Sequence, residues 1–202
     1  MRKKVYTSVI FTLLILLIIS TVISGASGLE TNLIWSPGST SGQTFVCTDQ
    51  ELRVGETYET ASATSDKIVD GKESFVFELE YNLQSLSNSE SIVRYGWISQ
   101  AVTIGTVKFF LNQDNTDGPY YGIQKYRVDM TAEEAKAKKI VIKVIYDSTT
   151  KLLSYEVQGR YIVSVPFEGE GAIKLSSAWC AWSVSKAVYT SYPGGLPQEL
   201  CR

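Results

Sequence analysis

Histidine is absent from this 202-residue chain. Without an imidazole, neither a Ser-His-Asp nor a Cys-His arrangement can be built, and no histidine can hold zinc. General acid–base chemistry falls to Asp, Glu, Lys or Tyr. An excess of positive charge is missing as well. Nineteen Lys and Arg stand against 21 Asp and Glu, for a formal net charge of −2 and a pI near 5.3. No basic face offers itself to a phosphate backbone, so nucleic acid is excluded as a partner. No Asn-x-Ser/Thr sequon occurs, and no internal repeat is visible.

Charged residues make up 20% of the chain, while Tyr is abundant at 12, a composition that suits a β-rich surface exposed outside a cell. The N-terminus gives the direction of travel. Arg2, Lys3 and Lys4 precede an apolar run from Val5 to Ile23, and small residues follow from Ser24 to Gly28. Residues 1–26 read as a signal peptide cut after Ala26, or as an uncleaved hydrophobic anchor helix spanning the membrane through residues 5–23. The positive start stays in the cytoplasm in both cases, which places the domain outside, secreted or tethered to the outer face of the membrane. Residues 27–43, rich in Gly, Ser, Thr and Pro, read as a flexible linker. Residues 44–202 remain for one domain, long enough for a real core.

Alternation with period two is the recurring signal from Thr44 onward. Phe75, Phe77, Leu79, Tyr81 and Leu83 fall on one face, and Val76, Glu78, Glu80, Asn82 and Gln84 on the other. Further strands read as Ile92 to Ile98, Thr106 to Leu111, Tyr121 to Val128, Ile140 to Tyr146, Leu152 to Val157, Tyr161 to Val165, Ala172 to Trp179 and Trp182 to Tyr189. Turn residues separate them at Asp147 to Thr150, Gln158 to Arg160 and Glu168 to Gly171. One stretch reads as helix: Thr131 with Glu134 makes a capping box, and Ala132 to Lys138 gives a turn or two. The expectation is an all-β antiparallel jelly-roll sandwich with one short helix.

The run from Lys139 to Asp147, the strand Leu152 to Gly159 and the strand Arg160 to Val165 together resemble the concanavalin A-like lectin/glucanase superfamily, laminin-G-like domains included. A strand ending in Tyr146-Asp147, a strand closing in a Gly159 turn and a third apolar strand carry the resemblance, with Gln158 where the superfamily often has Asp. It covers about residues 44 to 192 and implies the jelly-roll fold more directly than any ligand. The resemblance also bears on the cysteines, Cys47, Cys180 and Cys201. First and last strands are neighbours in that fold, which implies Cys47 paired with Cys201 and Cys180 as a buried thiol. Cys180 paired with Cys201 stays open as the alternative.

Three groups of candidate site residues follow. Glu78 and Glu80 sit two apart on one strand face, as the carboxylates of glycosidases in the resembled superfamily do, but the next same-face residue is Asn82, and a solvated sheet face is the plainer reading. In the loop Asn112 to Gly118, Asp114 and Asp117 are candidate calcium ligands, the only cofactor the sequence raises; Asp117-Gly118 is equally a turn dipeptide. Tyr95, Trp97, Gln124 and Tyr126 are candidate glycan contacts, because sugar C–H faces rest on aromatic rings while amides bind hydroxyls. Two readings of Trp97 stand side by side: a stacking platform, or a ring packed between the sheets. Trp179 and Trp182 are assigned to the core. With no catalytic set in view, the reading leans away from an enzyme and toward an exported module that binds glycan or another surface polymer. A structural protein that assembles into homo-oligomers at the cell surface is the alternative, and a polysaccharide hydrolase or lyase the third reading.

Overall fold

A computed structural model describes residues 28–38, 42–48, 51–56, 58–82, 94, 97–114, 116–123 and 125–201. The signal or anchor segment, Tyr95 and Gln124 lie outside the described residues. Among the described residues, no helix is long and apolar enough to cross a membrane.

Among the described residues, fifteen strands form two antiparallel sheets. The eight-stranded sheet contains β1 (Leu29–Asn32), β3 (Phe45–Cys47), β4 (Leu52–Val54), β6 (Ser74–Asn82), β11 (Lys139–Asp147), β12 (Leu152–Val157), β13 (Arg160–Pro166) and β15 (Trp182–Tyr192). Its order is β13-β12-β11-β6-β15-β4-β3, with β1 joined to the far half of β15. The seven-stranded sheet has the order β10-β9-β8-β7-β14-β5-β2. Its members are β2 (Trp35–Pro37), β5 (Thr60–Val69), β7 (Trp97–Ile104), β8 (Val107–Asp114), β9 (Gly118–Ile123), β10 (Tyr126–Asp129) and β14 (Gly171–Ala178).

Period-two alternation places one side chain of every pair between the sheets. Phe75, Phe77, Leu79 and Tyr81 of β6 and Ile140, Ile142, Val144 and Tyr146 of β11 face Ile98, Val102 and Ile104 of β7 and Phe109 and Leu111 of β8, all buried. Phe109 stacks on Tyr155 of β12 at 4.7 Å between ring centroids, and Tyr81 meets Trp182 edge to face at 4.7 Å. Trp182 is fully buried and Trp179 packs against the core half-exposed.

A carboxylate from the connection between β10 and β11 pairs with a guanidinium of β13, which also reaches the Asp129 carbonyl of β10 at 3.4 Å. Thr131 and Glu134 make the expected capping box: the Thr131 amide donates to Glu134 Oε2 at 2.9 Å, and the Glu134 amide donates to Thr131 Oγ1 at 3.1 Å. The helix they start is a single 3-10 turn, Glu134–Lys136, shorter than the sequence implies, and a second closes the chain at Gln198–Leu200. Glu134 is buried and receives Arg160 of β13 in bidentate fashion, from Nε at 2.9 Å and Nη2 at 2.7 Å. Burial pushes the Glu134 carboxyl up, but the Arg160 guanidinium and the Thr131 amide outweigh it and hold it below the usual carboxylate range.

Three expectations are corrected here. Leu29–Asn32 and Trp35–Pro37 are strands in place of a linker. β1 pairs with β15 and β2 with β5, and Trp35 is buried in the core, so the Gly/Ser/Thr-rich composition masks two edge strands. The segment Tyr121 to Val128 is two strands that turn between Ile123 and Tyr126, not one. The Cys47–Cys201 disulfide is not formed, and all three thiols are free. Cys47 lies in the edge strand β3, while Leu200, next to Cys201, borders grooves shared with Val76 of β6 and Ile145 of β11, strands on the other side of β4 and β15 from β3. Cys180 is buried, donates from Sγ to the Ser99 carbonyl at 3.2 Å, and is pushed up to about 12 by that burial.

Candidate functional site

Outward-facing positions of the seven-stranded sheet follow from its register. In β7, Ile98, Gln100, Val102 and Ile104 are buried on the inward parity, so Trp97, Ser99, Ala101 and Thr103 point away from the core, Ala101 being covered by its neighbours on the outer face. In β8, Lys108, Phe110 and Asn112 share that face, and in β14 Lys174, Ser176 and Ala178 do. Cross-strand pairing sets these side chains in rows. One row runs Lys108, Thr103, Lys174, Thr64; the next runs Phe110, Ala101, Ser176, Ser62; a third runs Tyr120, Asn112, Ser99, Ala178. Trp97 stands beyond the third row, 44% exposed. It is therefore not a core residue but a surface one.

An aromatic and polar cluster borders Trp97's end of this face. Asn112 Nδ2 donates to the Tyr120 hydroxyl at 2.7 Å, and the Arg127 guanidinium lies 3.8 Å over the Tyr120 ring. Arg127 is held in turn by Asp117 at 2.8 Å and Asp129 at 3.3 Å, and these carboxylates, Asp117 first, keep it firmly charged. Phe110 meets Tyr120 edge to face with centroids 6.2 Å apart. Gly122 makes that possible, because a Cβ there would meet the Phe110 ring at 2.2 Å. The cluster presents a ring, an amide, a hydroxyl and a cation in fixed positions, which is the chemistry that grips a polyhydroxylated ligand.

The candidate residues read from the sequence do not all meet. Trp97 lies on this face. Tyr126 is 48% exposed, but it pairs with Ile123 in a register that continues through Phe109 to Val102, five residues along β7 from Trp97. That puts Tyr126 about 17 Å away along the strands and three strands across, with the opposite parity. Asp114 ends β8 opposite Trp97. Asp117 is committed to Arg127, and a guanidinium at that oxygen opposes a calcium ion; no group of three His, Cys, Asp or Glu gathers among the described residues. The Asp117-Gly118 pair serves as a turn, with Gly118 at φ +71°. Lys108, Asn112, Arg127 and Lys174 join Trp97 and Tyr120 on this face through the register; the sequence signal is the alternation of Lys108, Phe110 and Asn112 with Val107, Phe109 and Leu111, which sets those three on one side of β8.

Glu78 and Glu80 stand on the other sheet, where each is taken by lysines. Glu78 meets Lys186 at 2.6 Å and Lys143 at 3.9 Å; Glu80 meets Lys139 at 2.7 Å and accepts a hydrogen bond from Ser185 at 2.6 Å. The Lys139 contact, with Ser185, holds the Glu80 carboxyl below its ordinary range. A carboxylate held in that state is a poor proton donor for glycosidic oxygen. Beside this ladder, the C-terminal residues Leu196 and Leu200 lie over a groove of about 470 Å³ that is also lined by Ile145, Leu152, Ser154 and Tyr161.

No family model matches the chain, and no curated protein matches it in sequence. Solved structures do match in fold. The winged bean acidic lectin complexed with methyl-α-D-galactose aligns over 82% of this chain and 98% of its own, at 11% identity and a TM-score of 0.54. A legume lectin-like domain from Entamoeba histolytica covers 78% of this chain and 89% of its own, at 11% identity and a TM-score of 0.53. The carbohydrate-binding module CBM66 from Bacillus subtilis covers 76% and 92%, at 11% identity and 0.50. The chain has the concanavalin A-like lectin fold.

Proposed function

We propose that a chain with this lectin fold is an exported glycan-binding module whose contact surface is the outer face of the seven-stranded sheet. The observation that carries the reading is Trp97, a large ring left 44% exposed on a sheet face beside the Asn112–Tyr120–Arg127 cluster. An exposed indole offers a flat apolar surface on which the C–H face of a pyranose can rest. Small neighbours, Ser99, Ala101, Ser176 and Ala178, leave the backbone approachable next to it. The fold neighbours include a lectin solved with a galactoside and a carbohydrate-binding module, which supports the same reading. Export is supported by Arg2 to Lys4, the apolar run Val5 to Ile23 and the small residues after it.

The test is a glycan array with the full chain held in a neutral detergent, read with and without calcium. Binding to at least one sugar class is expected, with loss in Trp97→Ala. An array with no signal on any class, in both conditions, overturns the proposal.

A further inference from the structure

We infer that the glycan is acidic: the outer face of the seven-stranded sheet takes a uronate-bearing polysaccharide, with Lys108 and Lys174 as carboxylate contacts and Trp97 as the platform for a sugar ring. The inference rests on the glycan-binding reading and narrows it to one class of polymer.

Position argues first. Lysines on sheets commonly guard edges, where they deter pairing with another chain. Lys108 and Lys174 belong to β8 and β14, both interior strands, in the order β10-β9-β8-β7-β14-β5-β2. Edge protection therefore does not explain them. Both side chains are exposed, and neither has an ion-pair partner among the described residues. On the eight-stranded sheet the situation is reversed, since Lys139, Lys143 and Lys186 are all matched by Glu78 or Glu80. The protein neutralises lysines on one face and leaves them unmatched on the other, within a chain whose net charge is negative.

Spacing and floor argue second. Lys108 and Lys174 both pair with Thr103, so their backbones are two strands apart, about 10 Å. Thr103 lies six residues from Trp97, or about 20 Å along β7. Between them the outward residues of β7 and β14 are Ser99, Ala101, Ser176 and Ala178. A shallow floor of small and hydroxyl side chains thus joins a cationic end to an aromatic end. The occupant that matches both ends is a chain of sugar rings bearing single, spaced carboxylates. Ammonium groups are point charges suited to isolated carboxylates, and a densely sulfated polymer would call for a tighter cation cluster. Of the carboxylates on this face, Asp117 and Asp129 are occupied by Arg127, Asp66 of β5 accepts the Ile34 amide at 2.9 Å, and among the described residues no ion pair joins any of the three to Lys108 or Lys174. Asp114 ends β8 six residues from Lys108, about 20 Å along the strand.

The experiment compares polygalacturonate, alginate and hyaluronate with the same polymers after reduction of their carboxyl groups, and with heparin. The full chain in neutral detergent is the binder, and affinity electrophoresis or calorimetry the readout. At least one uronate polymer is expected to bind about tenfold or more tightly than its reduced form at low salt, with the gap closing as salt rises. The variant K108S/K174S should bring the two forms level without moving the melting temperature, whereas Trp97→Ala should weaken both by the same factor. Reduced polymers binding as tightly as the acids, or heparin alone binding, overturns this inference and leaves the glycan reading standing. Failure to bind any uronate polymer in either form also overturns it, and the neutral glycans of the array then decide the broader reading.

Discussion

The outer faces of the two sheets are built from the same alternation and are finished in opposite ways. On the eight-stranded sheet, Glu78 and Glu80 alternate with core residues and meet lysines from β11 and β15, so charges cancel within the face. Ser154 and Ser164 hydrogen-bond each other at 2.7 Å, and the C-terminal residues Leu196 and Leu200 lie against Ile145 and Leu152. On the seven-stranded sheet, Lys108 and Lys174 have no such match among the described residues, Trp97 is half-exposed, and small hydroxyl residues fill the middle. A face that satisfies its own polar groups has little to offer a ligand. A face with a spare ring and spare cations has a reason to meet one.

The largest expected effect belongs to the Glu134–Arg160 pair, which ties the β10–β11 connection to β13. Removing one partner leaves the other charged and desolvated. Glu134→Ala should cost about 3 kcal/mol in chemical denaturation, somewhat under the fully buried value because Arg160 is one-third exposed. The pH dependence has a definite sign. A carboxyl held below its unfolded value contributes stability that is present above about pH 4.3, the unfolded reference, and is lost as pH falls through the lower folded value. Stability should therefore decline on the acid side, and Glu134→Gln should flatten that decline. An unchanged acid limb in the Gln variant would place the linkage elsewhere.

Trp97→Ala sharpens the contrast between the faces. An outward ring carries little of the core, so the melting temperature should stay within the range of ordinary surface changes, about 0.5 kcal/mol. Binding should fall by about 30-fold or more, the scale of an aromatic anchor. A loss of several kcal/mol in stability would mean the ring is a packing element after all. Gly122→Ala acts on the same face indirectly. Its new methyl group meets the Phe110 ring, which must move together with Tyr120, so a cost of about 1–3 kcal/mol and weaker binding are expected together.

How much of this could be read in the sequence depends on how large the inward side chains are. β6, β11, β12 and β13 were legible nearly to the residue, because Phe77, Leu79 and Tyr81 alternate with Glu78, Glu80 and Asn82, and β11 is a run of β-branched and aromatic residues broken only by Lys143. β5 was not, although it is ten residues long, because its inward residues are Ala61, Ala63 and Ser65. Small inward residues bury too little apolar surface to stand out against Ser and Thr outward. β1 and β2 read as linker for a similar reason: the four residues of β1 are all exposed, and β2 has one buried anchor, Trp35, followed by Ser36, Pro37 and Gly38. Of the site, Trp97 was legible because a large aromatic is conspicuous wherever it falls. Lys108, Asn112, Tyr120, Arg127 and Lys174 come from β8, β9, β10 and β14, and only the register brings them onto one face. Register is a property of paired strands, and one strand's sequence does not state its partner.

The smallest expected effect belongs to the ladder on the eight-stranded sheet. Glu78 is partly exposed at 28%, and its closer partner Lys186 is half-exposed, so water screens the pair. Such pairs are worth about 0–1 kcal/mol, much of the Coulomb gain being spent on ordering two long side chains. Replacing Glu78 with Gln keeps the shape and the β-strand length while leaving Lys143 and Lys186 free to reach water. Stability should therefore change by about 0.5 kcal/mol or less at neutral pH, and glycan affinity should not change, because the two outer faces lie on opposite sides of the core. Paired titrations of the parent and Glu78→Gln against the best-bound polymer, with a melting curve for each, read both quantities. If the Gln variant binds markedly less while Trp97→Ala binds normally, the roles of the two faces are reversed, and the lysine–glutamate ladder becomes the surface that meets the ligand.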